Sequence, residues 1–214
     1  MFIQKRSPTI KRSSGNSTVY MHNEYVIKYF KDLKVMKTEL NNTASIVGKG
    51  VVRILDCDES LKIIKYERLK TISNLESYLD IKNILLDISI ALYNIHKSGY
   101  YHGDVSVHNI GLNSKDKYVL YDFENSGKLP DNIMEKTEKQ YKDVEMFLEN
   151  LIINCKSYFN TQTVLYKILN EMKKSFTKTE YMYIKSFNNS YKKREIRFYN
   201  YNTEDFIQTL NSIL

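Results

Sequence analysis

The chain has 214 residues, 42% hydrophobic and 27% charged, with 18 Tyr and 9 Phe, a composition that suits a folded, soluble protein of one large domain or two closely packed lobes. No apolar run approaches the roughly 18–20 residues of a membrane span, the basic stretch Met1–Arg12 lacks the apolar core of a secretory signal, and two cysteines, Cys57 and Cys155, make neither a disulfide framework nor a zinc site. The expected compartment is therefore reducing and intracellular, cytoplasmic or the host cytoplasm for a viral chain, and the net charge of +7 suits an anionic partner such as ATP, RNA or an acidic protein.

Residues 9–30 read as a hairpin. Val19-Tyr20-Met21 and Tyr25-Val26-Ile27 are its apolar runs, with His22-Asn23-Glu24 as the turn. The preceding stretch, Arg12 to Thr18, is rich in small residues that let backbone N–H groups approach a phosphate. Ser14, Gly15, Ser17 and Val19 are thus candidate nucleotide contacts, and a plain surface turn is the competing reading. Lys28 follows β-branched residues and is placed to aim an ammonium into a cleft. Phe30–Ile46 is helical by pattern, through Leu33, Met36 and Leu40, and carries Glu39 as a candidate partner for Lys28. Gly48 and Gly50 end it. Residues 51–56 and 61–67 read as two more antiparallel strands, so the first third is strand-rich with one helix.

Beyond Leu69 the pattern becomes helical. Ser73 to Leu79 is a short helix with Ser73 and Glu76 in capping-box positions. Ile81 to Lys97 is a longer one, with Ile84, Leu85, Ile88, Ala91, Leu92 and Ile95 as its buried face and Gly99 as its stop. Next comes His102-Gly103-Asp104 with Asn109 five residues after the Asp, and then a short strand, Val119-Leu120-Tyr121, that leads into Asp122-Phe123-Glu124. An Asp, an Asn five residues on, and a second Asp at the end of an apolar run form a phosphoryl-transfer arrangement. Asp104 is placed to accept or orient a hydroxyl proton. Asn109 and Asp122 offer the oxygen ligands that Mg²⁺ requires. Helices follow from Glu135, through Leu165–Met172, and at Phe206–Leu214.

In this order the motifs resemble the protein kinase superfamily over residues 12–150. Lys28 stands at the strand-three Lys, Glu39 at the helix Glu that pairs with it, and Tyr66 near the gatekeeper. Asp104 matches the catalytic-loop Asp, Asn109 the Mg²⁺-binding Asn, Asp122 the first residue of D-F-G, and Asp143 the Asp that braces the catalytic loop. The resemblance implies an α+β, bilobal protein-kinase-like fold. Residues 1–69 would form a β-rich N-lobe with one helix, and residues 70–214 a mainly helical C-lobe. ATP and Mg²⁺ would lie between them, with backbone groups of Glu67 and Leu69 meeting adenine. Lys28, held by Glu39, would orient the phosphates, and the acceptor would be a Ser or Thr hydroxyl of a protein, the enzyme itself included.

The departures from the family define its type. Gly103 replaces the Arg of H-R-D, Ser106 a Lys, Glu124 the Gly of D-F-G, and Ser14 and Ser17 stand where loop glycines are expected. Gly111 occupies the place of a bulky adenine-floor residue. Only 20 residues separate Asp122 from Asp143, and no A-P-E sequence occurs. This economy resembles the RIO kinases, the kinase subunit of the KEOPS tRNA-modifying complex and viral minimal kinases. Two alternatives stay open: a catalytically weak kinase-fold module that acts by binding a partner, and a KEOPS-like ATPase or kinase assisting tRNA modification. For the latter, the basic stretch Tyr191–Arg197 is a candidate RNA contact.

Overall fold

The computed structural model describes residues 10–13, 15–46, 50–72 and 78–154. The expected helices at 165–172 and 206–214, the capping pair Ser73 and Glu76, Ser14, Gly48, Cys155 and the basic stretch 191–197 lie outside the described residues.

The described chain is a mixed α+β structure. Its main sheet has five antiparallel strands: β1 (Ile10–Ser13), β2 (Ser17–Met21), β3 (Tyr25–Phe30), β4 (Ile54–Asp58) and β5 (Ile63–Glu67), in the order β1-β2-β3-β5-β4. The β2–β3 turn is closed by the His22 N–H donating to the Tyr25 carbonyl at 2.9 Å. Three helices are described, α1 (Leu33–Ser45), α2 (Tyr78–Lys97) and α3 (Ile133–Asn154). Two small sheets complete the fold. One pairs β6 (Lys70–Thr71) with β8 (Ile110–Leu112) and β8 with β9 (Tyr118–Leu120). The other pairs β7 (Tyr100–Tyr101) with β10 (Gly127–Lys128). No described helix is long and apolar enough to cross a membrane.

Several expected boundaries move by three residues or fewer, α2 to Tyr78, α3 to Ile133, β5 to Ile63 and β9 to Tyr118–Leu120 among them, and two have a visible reason. Helix α1 starts at Leu33 rather than Phe30, because the Asp32 side chain accepts from the Lys34 N–H as its N-cap, while Phe30 stays in β3 and is buried. Strand β4 starts at Ile54 rather than Val51. Val51 instead bridges Leu120 in parallel, and the Val52 N–H donates to the Leu120 carbonyl at 2.9 Å. That short stretch stitches the main sheet to β9.

The core runs along the apolar faces of α2 and α3. Ile84, Leu85, Ile88, Ala91, Leu92 and Ile95 are all buried, as the 3.6-residue spacing requires, and so are Val144, Phe147, Leu148, Leu151 and Ile152. Gly99, at φ +83°, ends α2 in the left-handed region. Gly50 also has positive φ (+95°). There a Cβ would collide with the Ala91 side chain and lie 2.7 Å from the Ala91 Cα, whereas a Cβ at Gly99 meets nothing within 4 Å. Ala at Gly99 is therefore expected to cost about 1 kcal/mol through backbone strain alone, and Gly50→Ala at least about 2 kcal/mol more, since α2 must also shift. Urea unfolding of the two variants checks the difference, and equal losses would contradict the packing described.

Candidate active site

The alternation of β-strand side chains builds one wall of a cleft. In β3, Val26, Lys28 and Phe30 share a face, and the registers set Lys28 opposite Val19 of β2 and Ile64 of β5. Ser17, Val19, Val26, Lys28 and Tyr66 consequently line a cavity of about 230 Å³ together with Glu39, Glu67, Leu69 and Asp122. Its surface is largely apolar, with Lys28, Glu39 and Asp122 paired at one charged end, and Arg68 and Lys70 also border it.

The charged end centres on the buried Lys28 ammonium. Its Nζ lies 2.7 Å from Glu39 Oε2, 2.6 Å from Asp122 Oδ1 and 3.7 Å from Glu124 Oε2. Burial works to discharge this lysine, but Glu39 and Asp122 outweigh it and hold the ammonium above its ordinary value. Glu39, the expected partner of Lys28, is 1% exposed. Burial raises its carboxyl above the usual carboxylate value, against the pull of Lys28. Its second oxygen, Oε1, accepts from the Tyr66 hydroxyl at 2.7 Å. Burial, with Glu39 beside it, pushes that phenol well above its ordinary value, so Tyr66 remains a donor.

Asp122 reaches Lys28 from a left-handed backbone conformation (φ 66°, ψ 70°), a region Asp tolerates better than most residues. The chain then turns into a 3₁₀ segment, Phe123–Asn125, anchored by the fully buried Phe123. Helix α1 fixes the next residue: Asn42 Nδ2 donates to the Ser126 carbonyl and to Ser126 Oγ, each at 2.9 Å.

The second group of expected residues is held by Asp143 of α3. This buried carboxylate accepts from the His102 N–H at 2.7 Å and the Gly103 N–H at 2.8 Å, and it lies 3.0 Å from His96 Nε2 of α2. Gly103 has φ +80°, and a Cβ there would collide with the Asn125 carbonyl oxygen. The turn therefore requires glycine at position 103 and has no room for the arginine of an H-R-D sequence. Burial lowers the His102 pKa and keeps the ring neutral. A neutral ring with the proton on Nε2 satisfies both of its contacts, with Nε2 3.2 Å from the Tyr121 carbonyl and Nδ1 accepting the Asp104 N–H at 3.3 Å.

Asn109 Nδ2 donates to the Asp104 carbonyl at 3.0 Å, which leaves the Asn109 side-chain oxygen for a cation. The Tyr121 N–H donates to the Asn109 carbonyl at 3.0 Å and so ties Asn109 to the residue before Asp122. No described residue hydrogen-bonds the Asp104 carboxylate. All of these donors are oxygens, which fits a hard cation such as Mg²⁺. Carboxylate oxygens of Glu39, Asp122 and Glu124 also lie within 4.8 Å of one another.

The structure therefore brings together Ser17, Val19, Lys28, Glu39, Glu67, Leu69 and Asp122 around one cavity. Asp104 and Asn109 are joined to each other and do not line it. Gly15 lies in the exposed β1–β2 turn. Gly111 is covered by Leu69, whose Cβ would lie 2.7 Å from a Cβ added at Gly111, so the leucine fills the space a bulkier floor residue would take. Sequence reasoning passed over three contacts. The Tyr66 hydroxyl on Glu39 was signalled by Tyr at an inward strand position, and His96 by a histidine beside the apolar stripe of α2. The third, Asn16 Nδ2 donating to Glu124 Oε1 at 2.5 Å, spans 108 residues and has no local signal.

No family model matches the chain, and no curated protein matches its sequence. Among solved structures, WbdD, a kinase-like protein, aligns with 97% of this chain at a TM-score of 0.59 and 14% sequence identity. The alignment covers 46% of WbdD, so the chain spans less than half of that protein's length. The chain is thus distantly similar in structure to a kinase-like protein, and the likeness speaks to the fold alone. Solved chains matching it number 1457, and a shared fold does not by itself select an activity.

Two outcomes check the geometry. In Tyr66→Phe, Glu39 loses a hydrogen bond to its charged form, so its titration should move further up in pH, followed by the carboxyl ¹³C shift. An unmoved midpoint would contradict the contact. Asp143→Ala removes the acceptor of the buried His102 N–H and the part-buried Gly103 N–H and the contact with His96, and is expected to cost about 3 kcal/mol or more in urea unfolding. A loss below about 1 kcal/mol would contradict the bracing role.

Proposed function

We propose that the chain is an ATP- and Mg²⁺-dependent phosphotransferase, a minimal protein kinase acting on Ser or Thr hydroxyls, with its own chain among the possible acceptors. The observation that carries this reading is the meeting of Lys28 with Glu39 and with Asp122, a residue 94 positions away, in the lining of a largely apolar cavity. A protein with no phosphate to bind has little reason to bury an ammonium among carboxylates beside a slot of that shape.

In this reading the apolar end takes the adenine, against Val19 and Leu69, along the Glu67–Leu69 backbone. Lys28 orients the phosphates, and Glu39, held by Tyr66, keeps the ammonium in place. Asp122 and the Asn109 side-chain oxygen hold the metal, which when bound supplies charge neutralisation at the phosphate oxygens. Asp104 orients the acceptor hydroxyl, with its carboxylate aimed by the His102–Asp143 scaffold. Catalysis rests on positioning and preset charge rather than on a covalent intermediate. Residues 1–69 and 70–214 act as the two lobes around the nucleotide.

A second reading, a kinase-fold module that binds a partner without turnover, draws on Glu124 in the glycine position of D-F-G. The two separate in one assay. Purified protein with γ-labelled ATP and Mg²⁺ is expected to label itself or an added Ser/Thr protein. Asp104→Ala and Asp122→Ala should each reduce transfer at least about 100-fold. Tight ATP binding without turnover, equal in all three proteins, would overturn the enzyme reading in favour of the module. Stimulation by added tRNA would point to the KEOPS-like role instead of a protein acceptor.

A further inference from the structure

Glu124 has no part in the chemistry above, yet it is held as firmly as the residues that do. It projects from the 3₁₀ segment that Phe123 anchors and that Asn42 of α1 braces through Ser126. Its nearest partner is not Lys28, at 3.7 Å, but Asn16, at 2.5 Å. Asn16 belongs to the β1–β2 turn, and that turn is braced from behind. Lys31 Nζ donates to the Gly15 carbonyl at 2.7 Å, and the Lys31 N–H donates to the Asn16 carbonyl at 3.0 Å. Two supported elements 108 residues apart in the chain therefore meet through one side-chain hydrogen bond. The meeting point lies beside the charged end of the cavity.

We infer that Glu124 and Asn16 are a positioning pair, a clasp that holds the β1–β2 turn over the phosphate end of the cleft. This rests on the nucleotide-binding reading of that cleft. A glycine at position 124 could supply no such contact. Ser17, which opens β2 where the kinase resemblance expects a glycine, is less free than glycine to let the turn fold down through its backbone alone. The clasp supplies by side chain the closure that backbone flexibility would otherwise provide. Holding the turn down in this way slows the escape of a bound triphosphate.

The test uses the full chain as wild type, Asn16→Ala, Glu124→Ala, the double Ala variant and Glu124→Gln. The first readout is the dissociation rate of a fluorescent ATP analogue with Mg²⁺, chased by unlabelled ATP in a stopped-flow instrument. Each Ala variant is expected to release it about five-fold faster, and the double variant no faster than the quicker single one. Glu124→Gln keeps an acceptor oxygen and should stay within about two-fold of wild type. Three results would overturn the clasp: a wild-type rate in Asn16→Ala, multiplying effects in the double variant, or a Gln variant that behaves like Ala. The last would assign Glu124 to the charge balance of Lys28. The second readout needs no nucleotide: amide hydrogen exchange at residues 15–18 of the free protein. It should quicken about five-fold in both Ala variants, and unchanged exchange overturns the clasp. If wild type binds no analogue, the nucleotide-binding reading fails on its own, and the exchange measurement still decides whether the clasp exists.

Discussion

A buried ammonium held by two carboxylates is the constraint around which the described residues are arranged. Lys28 is costly to bury unless its charge is matched. The match comes from two elements far apart in the chain, α1 through Glu39 and the turn after β9 through Asp122. That pairing fixes α1 against the main sheet and pulls the 3₁₀ segment beneath it. Tyr66 then uses the remaining oxygen of Glu39, and Ser126 is caught by Asn42. Each contact follows from satisfying the one before it, because an unpaired buried polar group costs more than a pair returns.

Asp143 performs the parallel task for the His102–Asn109 loop. A loop that carries reactive groups needs an anchor with many acceptor sites, and one buried carboxylate serves two backbone N–H groups and a histidine. The tight turn it imposes gives Gly103 its positive φ. Gly103 was legible as a departure from H-R-D but not as a steric requirement, since the opposing carbonyl belongs to Asn125. Short connections suit this design: α3 begins at Ile133, soon after the β10–β7 pairing closes the segment that follows Asp122.

Much of the site was legible because its spacing follows from chain geometry. The β-branched residues before Lys28 marked it as facing a cleft, the resemblance to kinases placed Tyr66, and helical periodicity placed the buried stripe of α2. Glu39 could be paired with Lys28 because a strand and the next helix leave few choices over 11 residues. What escaped was tertiary. The 51–52 stretch left its expected strand to pair with Leu120, and β8 was too short to alternate visibly. Glu124 looked like a defect in a motif, because its partner, Asn16, lies in a turn with no marker of its own.

The account's central claim is that the Lys28 cluster receives a metal-bound polyphosphate. Isothermal titration of ATP into the full chain, with and without Mg²⁺, tests it most directly, with Lys28→Met and Asp122→Asn alongside. The expected result is binding that strengthens at least about ten-fold with Mg²⁺ in wild type, loses that gain in Asp122→Asn, and weakens with and without the metal in Lys28→Met. Binding that ignores Mg²⁺ and both substitutions would contradict the claim, as would no binding at all.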